Sequence, residues 1–227
     1  MTLYVWPALL MPEAQQWSPS AGAARDGGRS LSGSRRVATW AAGGIWRARF
    51  RNVAVGTPEE ILTAQALDAL LNDGVEPIAV PRNPGEQGPG GLVAYTPFSD
   101  DSTFSDGTEF ASAAPYGLLD SAIVAYATSL SFTWPGEALR GGEDFSFETP
   151  DGPNLHRIAR FESIEAIEGG YAYTAEVRTP IRAAQSAGAE LNFVDPHATM
   201  RMTNARELSA MLELNRIGFF DAEFEEA

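Results

Sequence analysis

The sequence predicts a mainly β protein with one helix. Three observations carry this: short runs of alternating apolar and polar residues recur along the chain between Gly/Pro-rich breaks, a single segment has the signature of a helix start, and the final residues alternate again. The 227 residues are 44% hydrophobic and 10% aromatic with no apolar run of membrane-spanning length, which is enough to form one large or two small globular domains.

Residues 1–53 read as β. TLYVW is a first strand, and RVATW and IWRARFRNVAV form an expected hairpin about Ala41-Ala42-Gly43-Gly44. In the second arm Ile45, Arg47, Arg49 and Arg51 share one face and Trp46, Ala48, Phe50 and Asn52 the other, so one side of the strand is an arginine ladder. The opening MTLYVWPALLMPEAQQW has no basic start, and its apolar stretch is broken by proline and glutamate, so it does not read as a secretory signal. Thr57-Pro58-Glu59-Glu60 is a capping box with proline at the first helical position. Ile61, Leu62, Ala66, Leu67 (or Ala69) and Leu70 supply a spacing of three to four, and Asn72-Asp73-Gly74 ends the helix. EPIAVP reads as a short strand whose flanking prolines suit an edge.

From 83 to 112 proline, glycine, serine and acids dominate, and the segment is expected to be an extended loop carrying Tyr95, Phe98, Phe104 and Phe110 as apolar anchors. Its acids, Asp100, Asp101, Asp106 and Glu109, admit a calcium reading of 99–109 but lack the full spacing of an EF-hand loop. Between 113 and 197, SAIVAYATSLSFTW, EDFSFET, NLHRIARFESIEAI, YAYTAEVRTPI and AELNFV alternate with turn signals, as in a small barrel or sandwich. His156 reads as a hydrogen-bonded strand residue, the segment Arg178–Gly188 as a turn with one helical turn, and His197 as a loop residue. In the tail Phe219, Asp221, Glu223 and Glu225 face one way and Phe220, Ala222 and Phe224 the other. This last strand has no sequence-local partner, so the expected organisation is discontinuous: 1–82 plus 198–227 as the main domain, and 113–197 inserted.

Chemistry is constrained by what is missing. With no cysteine there are no disulfides, thiolate nucleophiles or Cys-ligated metals, and two histidines leave almost no room for a histidine-based centre. There is no lysine and hence no Walker motif, no Gly-x-Ser-x-Gly elbow, and RDGGRSLSGSR reads as a turn device. The expectation is a protein that is not an enzyme and holds no cofactor; a glycosidase built on paired carboxylates stays open as an alternative. A second alternative is a carbohydrate-binding module using Trp6, Trp17, Trp40, Trp46 and Trp134 as stacking platforms. Residues 1–82 hold eight arginines against seven acids, a net of +1, while 83–227 hold eight against twenty-three, a net of −15. Such a surface repels nucleic acid over most of its area, and its opposite patches can attract between identical copies.

The aromatic-Pro start WPALL, the tract GGRSLSG-SRRVATWAAGGIWRARF, the helix, PIAVP, and then GPNLHRIARF with TPIRAAQSAGAELNFVDPHATMRM and the acidic end FFDAEFEEA resemble tail-tip proteins of siphophages and gene transfer agents, of the distal tail (Dit-like) family. The likeness covers most of the chain except 83–112. It implies a fold class of β-barrel/sandwich main domain with one helix and an inserted small β-barrel-like domain. It further implies a structural role in the virion tail tip or baseplate, assembled in the bacterial host cytoplasm: a homo-oligomeric ring, of six copies, joining the tail tube protein to the tail hub and other baseplate proteins. DNA would pass through the lumen without specific binding, and no membrane is involved. The charges assign Arg35, Arg36, Arg47, Arg49 and Arg51 with Asp221, Glu223 and Glu225 as the expected contact between subunits.

Overall fold

A computed structural model describes residues 3–20, 24–29, 35–39, 44–83, 116–206, 208 and 218–227. Among them the protein is mostly β with one helix, in a nearly closed, barrel-shaped six-strand sheet plus a second sheet. The strands are β1 (Tyr4–Val5), β2 (Ala14–Ser20), β3 (Ala24–Arg29), β4 (Arg35–Thr39), β5 (Ile45–Val55), β6 (Ile78–Pro81), β7 (Gly117–Leu119), β8 (Ala127–Trp134), β9 (Asp144–Phe147), β10 (Asn154–Ile167), β11 (Gly170–Ile181), β12 (Glu190–Leu191), β13 (His197–Met202) and β14 (Gly218–Glu226), with helix α1 (Pro58–Leu71).

The barrel-shaped sheet has the order β1-β6-β13-β14-β5-β2, the second sheet has β12-β7-β8-β11-β10-β9, and β3 and β4 form a two-stranded sheet. All strands of the second sheet therefore lie in the chain between β6 and β13, which are neighbours in the first. The closing strand β14 pairs antiparallel with β5 and β13.

Several local expectations change in the tertiary structure. RVATW does not pair with IWRARFRNVAV: β4 pairs with β3, while β5 pairs with β2 on one edge and β14 on the other. The missed partner is Ala14–Ser20, whose AQQWSPS has little β-propensity and is held by pairing rather than by its own composition. The expected turn residues 41–43 lie outside the described residues. β6 is not an edge strand, since it sits between β1 and β13. Its prolines stand at the ends, Pro77 before and Pro81 as the last residue, so the amides of the strand interior remain free to pair. Arg178–Ile181 continues strand β11 instead of turning, and His197 opens strand β13 instead of lying in a loop.

Helix α1 begins as its sequence dictates. Thr57 Oγ1 accepts from the Glu60 amide at 3.2 Å, and the Glu60 carboxylate accepts from the Thr57 amide at 2.9 Å and the Gly56 amide at 2.8 Å. It ends in left-handed backbone at Asn72, Asp73 and Gly74. A Cβ on Gly74 would collide with the Met202 carbonyl oxygen, so this glycine lets the helix end close onto β13. The buried face consists of Ala64, Leu67 and Leu71. Leu62 is 64% exposed and Ala66 and Leu70 also face outward, so the stripe is rotated from the expected one. Both stripes have helical spacing; docking onto the barrel chose between them.

Alternation in β5 holds through Phe50 and then resets at a bulge. Arg51 and Asn52 together lie opposite Asp221, with Asn52 at φ 52°, after which Val53 and Val55 point inward. Inside the barrel Trp6 meets Phe50 and Phe224 edge-on at 5.4 and 5.3 Å. The second sheet has its own core of Phe132, Trp134, Phe145, Tyr173 and Phe193, with Phe132 stacked on Tyr173 at 5.2 Å. Burying each such ring contributes roughly 1.5–3 kcal/mol, so both cores are substantial.

Candidate functional site: an ion-pair ladder and a seam between the sheets

The alternation of β5 and β14 places the arginine ladder beside the acidic ladder in one chain. Register pairs Arg47 with Glu225 and Arg49 with Glu223. Arg47 Nη2 lies 3.6 Å from Glu225, and Arg49 Nη2 donates to Asp221 at 3.1 Å. Arg49 Nε is 3.3 Å from Glu223, close enough for ion pairing but off the direction of a hydrogen bond. A shallow depression of about 380 Å³ runs over Arg47, Arg49, Glu223 and Glu225 with Gln16, Ser18 and Thr203. The paired side chains are 33–58% exposed, so each pair contributes on the order of 0.2–1 kcal/mol. Arg51 is exposed beside the bulge, and Arg35 and Arg36 stand on β4, away from β5 in the pairing. Of the expected contact residues the structure thus brings together Arg47, Arg49, Asp221, Glu223 and Glu225, within the chain. Charges that alternation alone left available to a neighbouring copy are largely balanced by each other.

A second charged cluster escaped sequence reasoning. At the seam between the two sheets Asp144, with its side chain 4% exposed, accepts from Arg157 Nε at 2.6 Å and Nη2 at 2.8 Å, and from Arg82 Nε at 2.9 Å. Arg82 follows β6, whereas Asp144 and Arg157 belong to β9 and β10. The Arg157 guanidinium also lies 5.0 Å from the Trp46 ring centroid, a cation–π contact across the seam. Farther along, Glu226 on β14, likewise 4% exposed, accepts from Arg182 Nε at 3.0 Å and from the Trp46 amide at 2.9 Å. Arg182 Nη2 reaches the Gly44 carbonyl at 2.8 Å. Thr199 completes the joint, its amide and hydroxyl both donating to the Pro153 carbonyl at 2.8 and 3.0 Å. Nothing in EDFSFET or LHRIARF distinguishes these charges from solvated ones, because their partners come from elements distant in sequence.

His156 lies in β10 as expected, fully buried against Phe145 and Phe147, with Nδ1 3.0 Å from the Thr179 carbonyl. The carbonyl can only accept, so Nδ1 carries the proton and Nε2 is the unprotonated nitrogen. Burial first, and then the nearby Arg182 charge, lower its pKa from 6.5 to about 4, against the opposing effect of the Thr179 hydrogen bond. Its Nε2 and the Thr179 hydroxyl have no hydrogen-bond partner among the described residues. Next to the seam opens a cleft of about 720 Å³ with Val5, Glu148, Asp151, Asn154, His197 and Arg201 in its walls.

Comparison with protein-family models and with curated proteins finds no match for this sequence. Among the described residues no group of three or more His, Asp or Glu side chains stands close enough to hold a metal; the acids of 99–109 lie outside them. The stacking-platform reading loses its premise at four positions, since Trp6, Trp17, Trp46 and Trp134 are all buried. Three of their indoles donate to main-chain carbonyls: Trp6 to Leu10 at 2.9 Å, Trp46 to Leu155 at 2.6 Å and Trp134 to Glu137 at 2.9 Å. Trp40 lies outside the described residues. What the arrangement does chemically is hold two sheets in one fixed orientation.

Proposed function

We propose that the protein is a structural subunit of a phage-type tail tip, of the distal tail kind, which forms a ring of six copies between the tail tube and the hub and lets DNA pass. The observation that supports this most is the architecture: a nearly closed barrel-shaped sheet with a second sheet carried as an excursion between β6 and β13, the arrangement implied by the sequence resemblance. The buried Asp144 and Glu226 clusters suit that task, because a ring that transmits contacts from tube to hub needs its two sheets to keep their relative orientation. The acidic balance of the chain, −14, suits a lumen through which DNA moves without sticking. Tail tube, hub and other baseplate proteins are the partners in this reading, and the virion tail tip is the location.

The reading is tested by native mass spectrometry and negative-stain microscopy of the purified full chain over a range of concentrations. A closed six-copy ring is expected; a monomer at every concentration overturns it.

A further inference from the structure

The β10–β11 hairpin runs past the core it belongs to. β9 covers β10 only from Asn154 to Arg157, and Ile158 still bonds to the main chain of Gly142 and Glu143. Beyond that point the outer edge of β10 meets no strand among the described residues, while its inner edge stays paired with β11 up to Ile167 opposite Gly170. Register shifts interrupt the pairing between Ile158 and Arg160 and again between Phe161 and Ser163, after which residues 163–167 pair without a break. Every residue from 162 to 168 is exposed. The fold thus leaves a short, regular strand with one edge open, and an open edge is a template for another extended chain.

The two faces of that strand differ in chemistry. Opposed residues of an antiparallel pair share a face. Ile164 stands opposite Tyr173 and Ala166 opposite Tyr171; Tyr173 is buried in the second core and Tyr171 packs against it. The core side of the sheet therefore continues outward as Ile164, 54% exposed, and Ala166. The other face carries Glu165 and Ile167, with Glu162 just before the regular stretch and Glu168 just after it. These three glutamates have no ion-pair partner among the described residues, and no basic residue occurs between 161 and 177. The arginines that flank this stretch, Arg160 and Arg178, are held by Glu176 at 2.7 and 3.0 Å.

We infer that the Ser163–Ile167 edge takes an extended segment of another protein in which apolar and basic residues alternate, added to the sheet as a further strand. Main-chain hydrogen bonds along the edge supply affinity and the alternation supplies selectivity. Apolar side chains of the added strand fall beside Ile164 and Ala166, and basic ones fall on the face of Glu165, with Glu162 and Glu168 at the two ends. A second copy presenting the same edge would bring acids against acids, which destabilises opposed strands. β5 has the alternating apolar and basic pattern, but it is paired with β2 on one edge and β14 on the other and is not available to a neighbour. The occupant is therefore a different chain, and the contact does not depend on ring formation.

The test uses the full chain and a short blocked peptide in which valine and arginine alternate. The same peptide with every amide N-methylated keeps the charge and the apolar side chains but cannot donate main-chain hydrogen bonds. Fluorescence anisotropy reads binding, and hydrogen exchange followed by mass spectrometry reads its place. The alternating peptide is expected to bind and to protect the amides of 163–167, and the N-methylated peptide to do neither. Glu162→Gln, Glu165→Gln and Glu168→Gln together are expected to weaken binding about tenfold at low salt and to remove most of its salt dependence. Circular dichroism establishes that this form folds; if it does not, the comparison of the two peptides on the wild type decides alone. An alternating peptide that does not bind, protection elsewhere than 163–167, equal binding of the N-methylated peptide, or a folded Gln form that binds as the wild type does would overturn the inference. Protection of 163–167 that rises with the concentration of the chain alone would assign the edge to a second copy and overturn it as well.

Discussion

Trp46 and Leu155 join the two sheets: the buried indole on β5 donates to the Leu155 carbonyl on β10 at 2.6 Å, across 109 residues of chain. The same ring faces Arg157, so a single side chain anchors both apolar and charged parts of the seam.

Replacing the indole tests that anchor. Trp46→Phe keeps an aromatic ring but leaves a buried carbonyl without its donor, at a cost of about 1–3 kcal/mol. Denaturant unfolding followed by circular dichroism reads it. A loss below about 0.5 kcal/mol would mean that the carbonyl finds other partners and the anchor is incidental.

Asp144 carries more. Removing one member of a buried charge cluster strands the others, so Asp144→Ala is expected to cost about 3–5 kcal/mol, against less than about 1 kcal/mol for Glu225→Ala in the exposed ladder. Equal losses in equilibrium unfolding would show that the seam charges are no more sequestered than those of the ladder.

Asn52 occupies left-handed backbone, its amide donating to Asp221 at 3.1 Å and its side-chain amide to Glu13 at 2.7 Å. Glycine adopts that conformation freely, so Asn52→Gly should change stability by less than about 1 kcal/mol, whereas Asn52→Val should cost roughly 2 kcal/mol through Cβ crowding. Calorimetric melting distinguishes the two; indistinguishable midpoints would remove the conformational argument for the bulge.

His156 makes stability depend on pH. An unfolded histidine takes up a proton as pH falls through 6.5, while the folded one resists protonation until about 4. The unfolded state therefore binds the extra proton in that window. Stability attributable to His156 is complete above pH 6.5, declines as pH drops through the window and levels off below it, by about 3 kcal/mol in all. His156→Phe, keeping a ring beside Phe145 and Phe147, should flatten that part of the profile in denaturant titrations across this range. A variant whose profile parallels the wild type would place the proton uptake elsewhere.

Features governed by covalent neighbours were legible from the sequence. Thr57, Pro58 and Glu60 start the helix because their side chains meet main-chain groups three residues away, and Asn72-Asp73-Gly74 end it through their own backbone preferences. Alternation in IWRARF and FFDAEF marked both strands and their buried faces, because a strand's period of two is local. Strand pairing and face selection were not local. Ile61, Leu62, Ala64, Leu67, Leu70 and Leu71 contain two helical stripes, and only contact with the barrel buried Leu71 and left Leu62 in solvent. Arg47 and Glu225 lie far apart in sequence, and their fate, whether facing water, a second copy or each other, was decided when β14 aligned on β5. Asp144 and Glu226 look like any other acids in an acidic chain; the closing of one sheet against the other removed them from water, and burial without a partner is too costly for a charge. That is why their arginines, Arg157 from β10, Arg182 from the residue after β11 and Arg82 from the residue after β6, converge on them.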